Sequence, residues 1–158
     1  MEFDKELIDA LLKAASSNRR KRQNHDLRTA ETDTSQRMLN AILPGSDVPI
    51  HRHRNTSETV VCLCGKMDEI IYTEESLYVS GNGNFPLGID AQSVQRKSFL
   101  REAKRICLCP AEGRFGCQIP KGVWHTVEII EPSVIFEAKD GAYSPFKQED
   151  VWNDKEED

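Results

Sequence analysis

The chain has 158 residues, of which 38% are hydrophobic and 30% charged, with a formal net charge of −5. That length suits one domain with a core of its own, and the excess of acid argues against a general nucleic-acid binder. No run is long and apolar enough for a membrane span, and the first residues lack the apolar stretch of a signal peptide, so the cytoplasm is the expected location.

Residues 3–15 carry apolar side chains at Phe3, Leu7, Ile8, Leu11, Leu12 and Ala15, which is helical spacing with a single apolar face. Asp4 is the expected N-cap and Asn18 lies near the stop. Such a helix packs either on its own barrel or on a second subunit, which leaves a homodimer open. Arg19-Arg20-Lys21-Arg22 follows, then Gln23-Asn24. This segment reads as a solvated basic connector after a helix C-terminus, or as an anion-binding arm that reaches a pocket. His25 reads as a loop histidine. The expected division is residues 1–24 as helix and basic arm, 25–146 as the main barrel, and 147–158 as an acidic tail that frays.

Residues 36–43 alternate as a strand, with Met38, Asn40 and Ile42 on one face and Arg37, Leu39, Ala41 and Leu43 on the other. Their odd separation makes it unexpected that Arg37 and Asn40 both look inward. In residues 45–65, bracketed by Gly45 and Gly65 as turn residues, His51 and His53 are two apart and share one face of a strand. Glu58 follows on the next strand, where Glu58, Val60, Cys62 and Cys64 share a face. Two nitrogens and one oxygen make a borderline-to-hard metal site with room for further ligands.

Residues 67–72, 77–80 and 105–109 read as short strands. Residues 81–88 are rich in turn formers, and the connection through about residue 94 is either a rim loop or a hairpin tip. Pro120 and Gly122 shape a turn before His125 opens a strand. Residues 133–139 alternate Val134, Phe136 and Ala138 against Ile135, Glu137 and Lys139. The five cysteines, at 62, 64, 107, 109 and 117, are an odd count and read as reduced thiols. Cys62-Leu-Cys64 and Cys107-Leu-Cys109 lack the usual zinc-knuckle spacing and read as small core residues. Many short strands behind one helix imply an all-β fold, a small antiparallel barrel or double-sheet jelly roll.

The spacing G-x5-H-x-H-x4-E-x6-G over residues 45–65, with P-x-G-x2-H over residues 120–125, resembles the two motifs of the cupin superfamily. The first matches at every position. The second has Arg114 in place of its opening glycine and Ile129 in place of its closing asparagine. The resemblance implies a cupin barrel (double-stranded β-helix) in which His51, His53, Glu58 and His125 bind one divalent transition metal: Fe, Mn, Zn or Ni. The alternative is a vestigial, metal-free barrel, but each unsatisfied polar side chain facing its interior would cost about 1–3 kcal/mol.

A closer likeness runs from about residue 20 to about residue 152. Arg22-Gln-Asn24, Gln36-Arg37-x-x-Asn40, Pro44-Gly45, Ile119-Pro-x-Gly-x-Trp-His-Thr126 and Glu137-x-Lys139-x-Gly141-x-Tyr143 resemble the WbuC family of cupin-fold metalloproteins, with Ala142 where that pattern usually has proline. The resemblance implies a bacterial protein of surface-polysaccharide biosynthesis. It gives Arg22, Asn24, Arg37, Lys139 and Tyr143 as candidate substrate-binding residues. The expected function is metal Lewis-acid chemistry, of isomerase or lyase type, on a sugar or sugar-derived acid. Glu58 is then occupied as a ligand, so Tyr143 and Glu137 are the candidates for catalytic base. Two alternatives stand beside it: a non-catalytic sugar-binding or sensor module, and an iron-dependent dioxygenase.

Overall fold

The structure, a computed structural model, describes residues 1–80 and 94–153. Its helix, α1 (Lys5–Ser17), begins at the expected cap: Asp4 accepts a hydrogen bond from the Leu7 backbone N–H at 3.0 Å. It stops at Asn18. The apolar stripe sets Leu11 and Ala15 against Leu39, Ala41 and Val134, so α1 covers the outer face of its own sheet. A leucine buried in this way contributes about 1.5–3 kcal/mol.

Six strands follow among the described residues: β1 (Arg22–Asp26), β2 (Ser35–Ile42), β3 (Glu58–Ser80), β4 (Val94–Leu108), β5 (Gly116–Ile119) and β6 (Trp124–Asp140). They pair antiparallel in the order β1-β2-β6-β3-β4, with β5 also on β3. Residues 22–26 are thus a strand and not a connector, and His25 lies in it opposite Leu39. The reason is local. Lys21 takes φ +54 and turns the chain out of the helix, and β2 offers a free edge for Arg22–Asp26 to pair with.

The separate short strands of the sequence merge into two long ones. Gly65, expected in a turn, lies inside β3 at φ +88, where a Cβ would fall 2.3 Å from the Pro132 carbonyl oxygen. The β3–β6 register shifts around it, between Cys62 and Cys64 and again to Met67. These irregularities change which face each side chain uses. Val60 and Cys62 stay in the barrel core with Ile119, Leu108 and Ile135, whereas Cys64 moves to the cluster under α1. The face expected to be shared by Glu58, Val60, Cys62 and Cys64 is therefore broken at Cys64.

Register and distance together show that the sheet closes. On the β3–β6 ladder Glu58 lies opposite Lys139, and Ile71 lies opposite His125. Along a straight strand Glu58 and Ile71 would stand about 40 Å apart, at about 3.3 Å per residue. Yet Glu58 Oε2 is 3.2 Å from His125 Nε2. Only a ladder coiled back on itself can do this, with β5 on the free edge of β3 and a His51–His125 bridge at the seam. The fold is a small antiparallel barrel.

The C-terminal segment does not fray where it is described. The Arg52 backbone N–H donates to Asp150 O at 3.0 Å, and the Trp152 N–H to Ile50 O at 2.8 Å. Arg52 and Arg54 both pair with the buried Asp150 carboxylate. The turn at 81–88, nearly all of the connection through 94, and residues 154–158 lie outside the described residues. Among those described, no helix is long and apolar enough to cross a membrane.

Candidate metal centre

His51 and His53 come from the segment before β3, Glu58 opens β3, and His125 is the second residue of β6. One ligand atom from each lies within 4.8 Å of all the others. The seam positions them: His51 and His125 exchange two backbone hydrogen bonds, of 3.0 and 2.9 Å, and the Gly122 N–H donates to His53 O at 2.7 Å. Among the described residues no other set of histidine, cysteine and carboxylate groups converges in this way.

The ring nitrogens suit a cation. His51 Nδ1 donates to Pro49 O and His125 Nδ1 to Val123 O, both at 2.9 Å, which leaves each Nε2 as a lone-pair donor facing the cluster. His53 Nε2 is buried with no hydrogen-bond partner, although Glu58 Oε2 stands 3.0 Å away at an angle unsuited to a bond. Burial, with His125 beside it, pushes the His51 imidazole down to about 3, so it is neutral at ordinary pH. Burial opposes charge on Glu58, but the imidazoles of His125 and His53 and the Lys139 ammonium beside it hold its carboxyl well below the usual range. Three imidazoles and one carboxylate form a donor set for a divalent transition metal.

The cluster sits in the wall of a cavity of about 920 Å³. Lys139 Nζ lies 2.9 Å from Glu58 Oε1 and 3.6 Å from Glu137 Oε2. Asn40 donates to Glu137 Oε1 at 3.1 Å. Burial, reinforced by Glu58, raises the Glu137 carboxyl; burial disfavours the Lys139 ammonium, but Glu137 and Glu58 raise it above its ordinary value.

A family model described as a domain of unknown function (DUF6016) matches residues 3–80. No curated protein matches the sequence. Solved structures do match. An oxalate oxidase in complex with the substrate analogue glycolate is 15% identical, with 81% of this chain and 55% of that one covered, at a TM-score of 0.48. TT1209 from Thermus thermophilus is 18% identical over 78% of this chain and 87% of its own, at 0.46. The formate complex of Lactobacillus farciminis oxalate decarboxylase is 17% identical over 70% and 25%, at 0.40. The chain spans about half the length of the oxalate oxidase chains it matches.

Arg22, Asn24, Glu137, Lys139 and Tyr143 all line the cavity that holds the His51, His53, Glu58 and His125 cluster. Arg22 Nε is buried there with no hydrogen-bond partner. Tyr143 is exposed at the rim, with the Arg28 guanidinium 5.2 Å from its ring centre. Arg37 is not brought to the cavity. β2 turns Gln36, Met38, Asn40 and Ile42 inward, and Arg37, on the other face, pairs with Asp33 at 2.6 Å. Sequence reasoning missed Glu69 and Phe146. The Phe146 ring stands 4.7 Å from that of His51 and 5.3 Å from that of His53. Glu69 falls on the face of β3 shared by Met67 and Ile71, but Asp68 and Ile70 on the other face are buried too, so alternation gave no inward side.

Proposed function

We propose that His51, His53, Glu58 and His125 hold one divalent transition metal, and that the cavity takes a small anionic ligand, a sugar-derived acid, for isomerase- or lyase-type chemistry. The observation that carries this reading is the company the cluster keeps in one cavity: Lys139, Glu137, Asn40 and Arg22, whose buried Nε has no hydrogen-bond partner. Lys139 is already balanced by Glu58, so Arg22 and the metal leave an excess of positive charge for an anion to meet. The WbuC-like residues at 22, 24, 139 and 143 support a carbohydrate acid of surface-polysaccharide metabolism as that anion.

Bound metal would supply Lewis acidity to a chelating oxygen pair. The chain's own groups do the rest. Arg22 presents a planar fork that suits a carboxylate. Glu137 is oriented by Asn40 and Lys139, and its raised proton affinity suits proton exchange with a bound ligand. Tyr143 closes the outer side. A cavity built only to bind would need no such carboxyl, and Glu137 therefore favours turnover over sensing.

The test titrates metal-loaded protein with D-gluconate and with sorbitol, its uncharged counterpart. Gluconate should bind at least tenfold tighter, about 1.4 kcal/mol. Arg22→Lys should weaken gluconate while leaving metal content and Tm unchanged. Equal affinity for the two probes, or indifference to Arg22→Lys, would remove the anionic ligand. NMR of the incubated gluconate then separates turnover from binding.

A further inference from the structure

Glu69 is the least expected side chain in the barrel. It lies on β3 opposite Val127 of β6 and Ile106 of β4. Its same-face neighbours along β3 are Met67 and Ile71. All four flanking positions are apolar and belong to or pack against the barrel core. These neighbours call for an aliphatic residue where a carboxyl stands. The side chain is 1% exposed, makes no ion pair among the described residues, and has Oε1 buried without a hydrogen-bond partner. It nonetheless lines the cavity that Glu58, His51, His53 and His125 line.

A buried polar atom without a partner destabilises the fold that holds it. Such a group is retained where something outside the fold completes it. We propose that Glu69 is a ligand-contacting residue of the cavity, its carboxyl donating a hydrogen bond to an acceptor oxygen of the bound molecule. This rests on the reading that the cavity holds a small ligand, and it adds a requirement on that ligand. The molecule carries a hydroxyl, carbonyl or carboxylate oxygen at the Glu69 wall, remote in sequence from the Arg22 strand. Burial, with Glu58 and Glu137 nearby, pushes the Glu69 carboxyl well above its ordinary range, which favours the protonated form. A neutral carboxyl in an apolar wall is a donor that a carboxylate could not be.

Glu69→Met and Glu69→Gln, each metal-loaded, test this against wild type. Methionine restores the apolar face and removes the orphaned oxygen, so its Tm should rise by several degrees while metal stoichiometry stays at one per chain. Gluconate affinity should fall at least tenfold in Glu69→Met and stay within about threefold in Glu69→Gln, which keeps a donor. A lower or unchanged Tm in Glu69→Met would overturn the proposal, since the carboxyl would then be structural. So would gluconate bound by Glu69→Met as tightly as by wild type. If wild type ignores gluconate, the sugar-acid reading fails alone, and the melting comparison still decides Glu69: a rise supports it, and no rise overturns it.

Discussion

Each catalytic-looking side chain here is fixed by a plain local contact. His51 and His125 spend one ring nitrogen on a backbone carbonyl two residues back, so neither ring can rotate away without losing a hydrogen bond. Lys139 bridges Glu58 and Glu137, which ties the donor set to a second carboxyl in the cavity wall. Asp33 shows the same economy outside the site. It accepts from the backbone of Ser35 at 2.9 Å and of Thr29 at 3.1 Å, and these bonds lower its carboxyl from 3.8 to about 2. A depressed folded value means that its contribution to stability is complete above 3.8 and is lost as pH falls through about 2. NMR titration should therefore find Asp33 ionised at pH 3, and Asp33→Asn should flatten the acid limb of the stability profile between those values. An Asp33 titrating near 3.8 would contradict this.

At the scale of elements, the bend in β3 matters most. Gly65 joins two conditions that no other glycine among the described residues meets: φ +88, and backbone of Pro132 and Ser133 where a Cβ would go. Gly65→Ala should cost about 2–4 kcal/mol, adding left-handed strain to a backbone clash. Gly113, at φ +74 with open space around it, is the control. Gly113→Ala should cost only about 1–2 kcal/mol, the conformational part alone. Chemical denaturation of the two variants measures both, and equal losses would show that the Gly65 contact is unimportant. This bend also marks where the sequence misleads. Glycine between two apolar runs reads as a turn, because composition does not distinguish a bulge within a strand from a break between strands. The helix was legible because its cap, stripe and stop all agree. The four residues of the cluster were legible because their spacing resembles a known pattern, although His51 and His53, expected on one strand face, lie in the segment between β2 and β3. Arg37 and Glu69 were not, since which face of a strand points inward depends on pairing with β6 and β4.

Over the whole molecule, barrel closure makes the site. Glu58 and His125 belong to opposite ends of one ladder, and they meet because the ladder coils and β5 and the His51 seam complete the ring. The C-terminal segment then straps the seam, with Asp150 held by Arg52 and Arg54 and Phe146 set beside the histidines. Protein purified without an affinity tag, in parallel with the His51→Ala/His125→Ala double variant, can be assayed for metal by elemental mass spectrometry after desalting. One transition-metal ion per wild-type chain and none in a still-folded double variant is the predicted result. Metal-free wild-type protein that also fails to take up Fe, Mn, Zn or Ni, or metal that survives loss of both histidines, would contradict it.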